Sequence, residues 1–267
     1  MREYRTRANW LIRDDGMLYI REFVRFHNLN PIGVLHVGAH QAEELEQYLH
    51  NGFANTNPII WIEAQNELAE NLRTRLDPAK NRVYCGVAWD VDGVKTLFNI
   101  TSKSASSSLF ELEKHKEYHP EIDVVRRIEV TTSRLDTLLT DLDVFDFVVL
   151  DIQGAESQAI AGLGRRIADV KWIYTEVSKS ELYAGGSTFV NLENQMTALG
   201  FKRVFTAIDR GTGCGDALYA KSSFYKISRK QKVFVQISII RRFCRSYIPN
   251  WAFPALVKIK KLVKRAS

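Results

Sequence analysis

The apolar run Val34-Leu35-His36-Val37 turns at Gly38-Ala39-His40, and a second apolar run, Trp61-Ile62-Glu63-Ala64, closes on a carboxylate. A strand that turns at a glycine into a helix, with an acid ending the next strand, is the βαβ layout that brings backbone N–H groups and a carboxylate to one ligand. This layout points to a parallel, doubly wound sheet and an adenosine-containing ligand. A pyrophosphate fingerprint needs three glycines, whereas this turn keeps Gly38 and follows it with Ala39, His40 and Ala42. The pattern disfavours a dinucleotide and suits a smaller, cationic cofactor such as S-adenosylmethionine.

The alternation continues along the chain. Strands are expected at 32–37, 58–63, 82–88, 128–132, 170–177, 201–208 and 217–221, and helices at 42–50, 67–76, 135–139, 156–168 and 190–199. Asp92-Gly93 predicts a hairpin from 82–88 into a strand at 95–100. Phe145 to Leu150 is apolar, ends in Asp151, and reads as a strand buried on both faces. Residues 101–127, with Ser102, Ser104 and Ser106 to Ser108, read as a loop or lid. The whole is a Rossmann-like α/β pattern: a helical extension at 1–30, a catalytic domain at 31–222 and a tail at 223–267.

Charge divides the chain. Residues 217–267 carry 13 of the 37 Lys and Arg and none of the 31 acids, which leaves residues 1–216 at net −7 within a chain of net +6. Phe234, Ile237, Phe243, Trp251 and Leu262 interleave with those cations at helical spacing. This suits an interfacial helix on an anionic membrane surface, with docking on the acidic body as the plainer alternative. Nucleic acid is disfavoured as a partner because the basic charge comes without a recognisable nucleic-acid fold. Met1 to Gly16 lacks the apolar core of a signal peptide. Cys85, Cys214 and Cys244 form no CxxC pair, so no zinc site or disulfide framework is expected. Both features predict a cytoplasmic protein, peripheral at the inner face of the membrane.

Residues 32–221 resemble the FkbM-type S-adenosylmethionine-dependent methyltransferases. HVGAH at 36–40 is similar to the family's first motif, WIEA at 61–64 to its ribose-side acid and SSSL at 106–109 to its serine loop. DIQGAE at 151–156, TEVS at 175–178 and GDALY at 215–219 follow in the family's order. The resemblance implies a class I methyltransferase fold, a mostly parallel sheet with one antiparallel strand near the end. It also implies O-methylation of a saccharide, glycolipid or small natural product. His36 and Ala42 depart from patterns common in that class, which carry an acid and a third glycine there.

Cofactor contacts are expected from His36, Gly38, Ala39, His40, Glu63, Ala64 and Asp151, with Glu63 accepting from both ribose hydroxyls or, more plainly, capping the next helix. Val87 and Ala88 either flank the adenine or are ordinary core. Methyl transfer to oxygen requires alignment and removal of the hydroxyl proton. Asp151 is the first candidate, as base or as a ligand for the cofactor's amino group, against a helix-capping alternative. Glu176 is next, against an ion pair with Lys179, then Asp216, against a turn role, and His40. Glu156 suits the first turn of a helix in any case. No metal is expected, because displacement from a sulfonium needs no Lewis acid and the histidines lack ligand spacing. The rival functions are a non-catalytic recognition module on the same fold and a nucleic-acid methyltransferase. The second lacks support from any Asn/Asp-Pro-Pro-aromatic segment.

Overall fold

The computed structural model describes residues 20–112, 115–181, 183–208 and 211–226. Residues 1–19 and the tail beyond 226, on which the membrane expectation rests, lie outside the described residues. The chain divides into two units, Met1–Arg21 with Asn30–Tyr225, and Glu22–Leu29 with Lys226–Ser267. Helix α1 (Ile20–His27) supplies most of the described part of the second unit. There the Phe23 and His27 rings meet edge-on at 6.0 Å, and the Leu29 N–H donates to Phe23 O at 3.2 Å.

The first unit is built on a seven-stranded sheet. Its parallel members are β1 (Val34–Val37), β2 (Ile59–Glu63), β3 (Asn81–Cys85), then β7 (Phe147–Leu150) and β8 (Trp172–Ser178). β9 (Phe201–Ile208) and β10 (Cys214–Lys221) close the far edge. The order is β3-β2-β1-β7-β8-β10-β9, and β10 runs antiparallel to both of its neighbours. The chain therefore reverses its winding between β1 and β7, the switch point at which open α/β sheets bind ligands.

Alternation along the strands fills both faces. Leu35 and Val37 lie in register with Ile60 and Ile62 and with Val148 and Leu150, and all six belong to one buried cluster. Each such side chain removed from water stabilises the fold by ~1.5–3 kcal/mol. His36 and Trp61 point the other way, with ring centroids 4.9 Å apart, beside Tyr48 and Phe53. Helices α3 (Asn66–Arg75), α6 (Glu156–Gly162) and α7 (Phe189–Ala198) connect the strands.

Four sequence expectations change. The helix expected at 42–50 begins only at Leu45, as α2 (Leu45–His50), because His40 and Ala42 adopt left-handed backbone at φ 44° and 57°. The strand expected at 82–88 divides at Gly86. β3 stays on β2, while β4 (Val87–Ala88) leaves to pair with β6 (Val124–Ser133) in a second sheet. The predicted hairpin is absent: β6 lies between β4 and β5 (Lys95–Thr101), parallel to one and antiparallel to the other. The ten-residue β6 has two edges to offer, and Asp92 serves instead as an acceptor for the Arg134 N–H at 2.7 Å and the Thr137 hydroxyl at 2.9 Å. The helix expected at 156–168 stops at Gly162 and continues as a 3₁₀ turn over Gly164–Ala168.

The segment read as a loop or lid is tied down on its inner side. Ser106, Ser107 and Ser108 are buried, and Asn99 and Ser108 exchange backbone hydrogen bonds at 2.8 and 3.1 Å. Leu112 bridges to Tyr183, and α4 (His115–Tyr118) precedes β6.

Candidate active site

The carboxyl ends of β1, β2, β7 and β8 deliver Gly38, Glu63, Asp151 and Glu176 to one edge of the sheet. Gly38 has φ 90°, and a Cβ there would fall 1.9 Å from the Asp151 carbonyl oxygen. The two strand ends therefore touch backbone to backbone, which only glycine permits. The N–H groups of Gly38 and Ala39 both donate to Ile62 O, at 2.9 and 3.0 Å. These two amides fasten β1 to β2.

Glu63 is 5% exposed, and its two oxygens accept the His40 N–H at 2.8 Å and the Gln65 N–H at 2.9 Å. Burial lifts its carboxyl above the ordinary range, and the two amides pull against that lift. Each carboxylate oxygen has a further lone pair, so both the capping and the ligand-binding expectations are compatible with this geometry. Ala64 follows, partly buried, its carbonyl 3.9 Å from Cys85 Sγ. Val87 and Ala88 are buried and paired with Thr132 and Ser133, which commits their side chains to packing.

The two histidines separate. His36 is 1% exposed, with Nδ1 2.9 Å from the Tyr48 hydroxyl, and burial lowers its imidazole to about 4. Its ring is a neutral part of the core, so the expected cofactor contact from this side chain is corrected to a packing role. His40 has both ring nitrogens engaged, Nδ1 with Glu43 Oε1 and Nε2 with Ser104 Oγ, each at 2.6 Å. The Glu43 bond raises its imidazole value against the opposing effect of burial. With both ring nitrogens engaged, His40 fastens the glycine turn to the serine loop.

A group whose value is raised on folding stabilises the fold fully below its unfolded value and loses that contribution as pH rises through the folded value. The His40 tie therefore weakens as pH rises through its raised folded value. Imidazole NMR should show His40 titrating above 6.5 and His36 uncharged until about 4. An ordinary or lowered His40 titration would contradict this tie.

Four acids converge beyond the turn. Asp151 is not a helix cap, since α6 is capped at Ala155. Burial pushes the Asp151 carboxyl up to about 6, with Glu43 adding to the rise. Glu176 and Asp216 stand directly opposite each other across β8 and β10 and so share a face. Asp216 lies within its strand and not in the turn role weighed above; burial first and Asp151 second push it up to about 7. Glu176 is raised well above the usual range by burial and then by Asp151, Glu156 and Asp216. Glu156, 3% exposed, accepts the Gly154 N–H at 3.1 Å and is pushed up to about 7 by burial. The cluster therefore holds protons near neutral pH, as acid–base work requires.

Two residues were not singled out from sequence. Gln153 bridges Asp151 and Glu176 through its amide, and the Tyr183 hydroxyl donates to its carbonyl oxygen at 2.5 Å. The only local signal is the glycine that follows Gln153. Beside them a small open cleft, with about 20 Å³ of room for water-sized occupants, is bordered by Glu156, Glu176, Tyr183, Ser187, Thr188 and Leu192.

The chain is similar to known methyltransferases. Over 82 residues, 30% of this chain and 34% of the relative, the sequence is 35% identical to the 2-O-methyltransferase NoeI of Sinorhizobium fredii (strain NBRC 101917 / NGR234). The match thus spans about a third of that relative's length. Among solved structures, a SAM dependent methyltransferase from Aquifex aeolicus is 12% identical, with a TM-score of 0.43, covering 80% of this chain and 92% of that one. Magnesium protoporphyrin IX methyltransferase from Synechocystis PCC 6803 is 9% identical, with a TM-score of 0.39, covering 76% of each chain. Residues 36–203 match the Methyltransferase FkbM domain. That span runs from the glycine turn through Asp151, Glu156 and Glu176 into β9 and takes in more than half of the sequence, and the chain belongs to the FkbM methyltransferase family.

Proposed function

We propose that this protein transfers a methyl group from S-adenosylmethionine to a hydroxyl of a saccharide, glycolipid or related small molecule. The observation that carries the reading is the meeting of Gly38, Glu63 and Asp151 at the switch point, with Glu176 and an open cleft alongside. The residues suit this cofactor. Because the Gly38 and Ala39 amides are engaged with Ile62, the turn has no nest for a pyrophosphate, whereas Glu63 can accept from ribose hydroxyls. The acids Glu43, Glu63 and Asp151 favour a cationic ligand.

S-adenosylmethionine supplies, when bound, an electrophilic methyl on a positively charged sulfur. The chain's part is to orient and to handle one proton. Glu63, held by two backbone amides, anchors the ribose side; Asp151 or Glu176 accepts the proton of the attacking hydroxyl. Ser187, Thr188 and Tyr183 border the cleft with groups that match the hydroxyls of a sugar. The name of the partial relative, a 2-O-methyltransferase, supports oxygen as the acceptor atom. Contact with an anionic membrane surface is the part of this proposal that rests on residues 223–267 alone.

Calorimetric titration with S-adenosylmethionine, and with NAD as control, tests the reading. We expect micromolar binding of the first, no binding of the second, and a loss of about 10–100-fold in Glu63→Ala, the scale of one charge-assisted hydrogen bond to ribose. A folded protein that binds neither is a recognition module or something else. Retained affinity in Glu63→Ala would reduce Glu63 to its capping role.

A further inference from the structure

Gln153 occupies left-handed backbone at φ 53°, a region that residues other than glycine rarely adopt. Such conformations persist where the surroundings over-determine them, and Gln153 is held at its main-chain oxygen and at both ends of its amide. Its main-chain oxygen accepts from Ser108 Oγ at 2.7 Å, and Ser108 is itself buried and paired with Asn99. Its side-chain Nε2 donates to Asp151 Oδ1 at 2.8 Å and to Glu176 Oε2 at 3.1 Å. Its Oε1 accepts from the Tyr183 hydroxyl. The orientation of the amide is dictated chemically: turned over, its oxygen would face two carboxylates, which when ionised can only accept.

One neutral amide therefore joins an acid at the end of β7, on the side of the glycine turn, to an acid near the end of β8, on the side of the cleft. We propose that Gln153 is a positioning residue of the reaction, its single amide clamping Asp151 and Glu176 into one fixed arrangement facing the acceptor hydroxyl. The inference rests on the methyl-transfer reading and adds to it the residue that sets the proton acceptor.

The surroundings explain why a clamp is needed. Asp151 faces Glu43 and His40 from the glycine turn, while Glu176 faces Glu156 from α6 and Asp216 from β10, with Tyr183 over both. Burial and these like charges favour the protonated carboxyls. Two N–H donors from Gln153 favour the ionised ones. A base that must be ionised near neutrality depends on that second influence.

The test is a titration of the side-chain carboxyls by ¹³C NMR in the full chain with no methyl donor present. In Gln153→Leu the Asp151 and Glu176 midpoints should both rise by about one pH unit, the order expected for loss of one charge-assisted bond each. Gln153→Glu keeps the shape, puts a third acid in place of the donors, and should raise them further. Tyr183→Phe, which frees the amide to turn, should raise them less. The acid limb of the kcat profile should move with the midpoints, about tenfold in proton concentration per unit, and activity should recover at higher pH.

Unchanged carboxyl midpoints in Gln153→Glu, or in Gln153→Leu with only a lower melting temperature, would overturn the clamp and leave Gln153 as a turn residue. Should the leucine variant fail to fold, the glutamate and phenylalanine variants decide the matter. If the unaltered chain binds no S-adenosylmethionine, the methyl-transfer reading falls. If it binds, and the carboxyls ignore position 153, the clamp alone falls.

Discussion

Asp151→Asn is expected to lower kcat by about 10²–10⁴-fold, the usual contribution of a positioned general base, while S-adenosylmethionine affinity stays within about tenfold as the loss of a single neutral-group contact would allow. Asparagine preserves the shape and can still accept the Gln153 amide, so the change removes charge and basicity with little else. Affinity falling as far as turnover would make Asp151 a ligand of the cofactor's amino group. Unchanged turnover would pass the role of base to Glu176.

The same substitution should make the protein more stable at neutral pH. Burial raises the Asp151 carboxyl from its ordinary 3.8 to about 6. A carboxyl raised in this way stabilises the fold below its unfolded value and withdraws that stability as pH climbs through the folded one. The charged form therefore penalises folding above about pH 6, by roughly 1–3 kcal/mol for a shift of this size. Asparagine has no such penalty, and it relieves Glu176, Glu156 and Asp216, each of which Asp151 pushes upward. Melting curves at pH 5 and pH 8 should show the variant gaining chiefly at pH 8. A gain that is equal at both values would mean that Asp151 is not the group being relieved.

Gly38→Ala should be the most destabilising single methyl in the first unit. Its Cβ would sit 1.9 Å from the Asp151 carbonyl oxygen and 2.8 Å from the carbonyl carbon, both backbone atoms of a central strand end, and the residue has φ 90°. The two closest atoms are backbone and cannot swing away; only the third, Ile152 Cγ2 at 3.2 Å, belongs to a side chain. Strained backbone and overpacking together place the loss at about 3–5 kcal/mol, a fall of roughly 10 °C or more in melting temperature for a domain of this size. Gly93→Ala is the matched control, since φ is 79° and no atom lies within 4 Å of the added carbon. It should lose about 1 kcal/mol, from backbone strain alone. Equal losses at the two positions would show that the β1–β7 contact is looser than the geometry requires.

The central strands of the main sheet were legible in sequence because each is a short apolar run buried on both faces. β1, β2, β7 and β8 need no partner to be recognised, and the acids that end them, Glu63 and Asp151, mark the ligand-binding edge. The second sheet was not legible. Nothing in residues 87–88 or 95–101 announces that 124–133 will lie between them, because that choice is a competition among strand edges decided by the packing of distant segments. The helix expected from Ala42 was delayed for a related reason: two left-handed residues, His40 and Ala42, carry no sequence mark of their conformation.

The two histidines show where sequence reasoning stops at the site. His36 and His40 are four residues apart in one motif, and both were expected to touch the cofactor. A strand sends successive side chains to opposite faces, and His36 points to the Trp61 side, where it packs as a neutral ring. His40, just past the strand, meets Glu43 and Ser104, and the Glu43 bond raises its imidazole value.

The sequence by itself determined the class of fold, the order of its strands along the chain and the acids that end them, because side-chain periodicity and glycine turns act over a few residues. Only the tertiary structure decided which of those acids meet, that burial drives their protons on near neutrality, and that Gln153 and Tyr183 stand between them. Those outcomes depend on how closely β7, β8 and β10 pack and how much water they exclude, and residues far apart in the chain acquire these properties only once the sheet has closed around them.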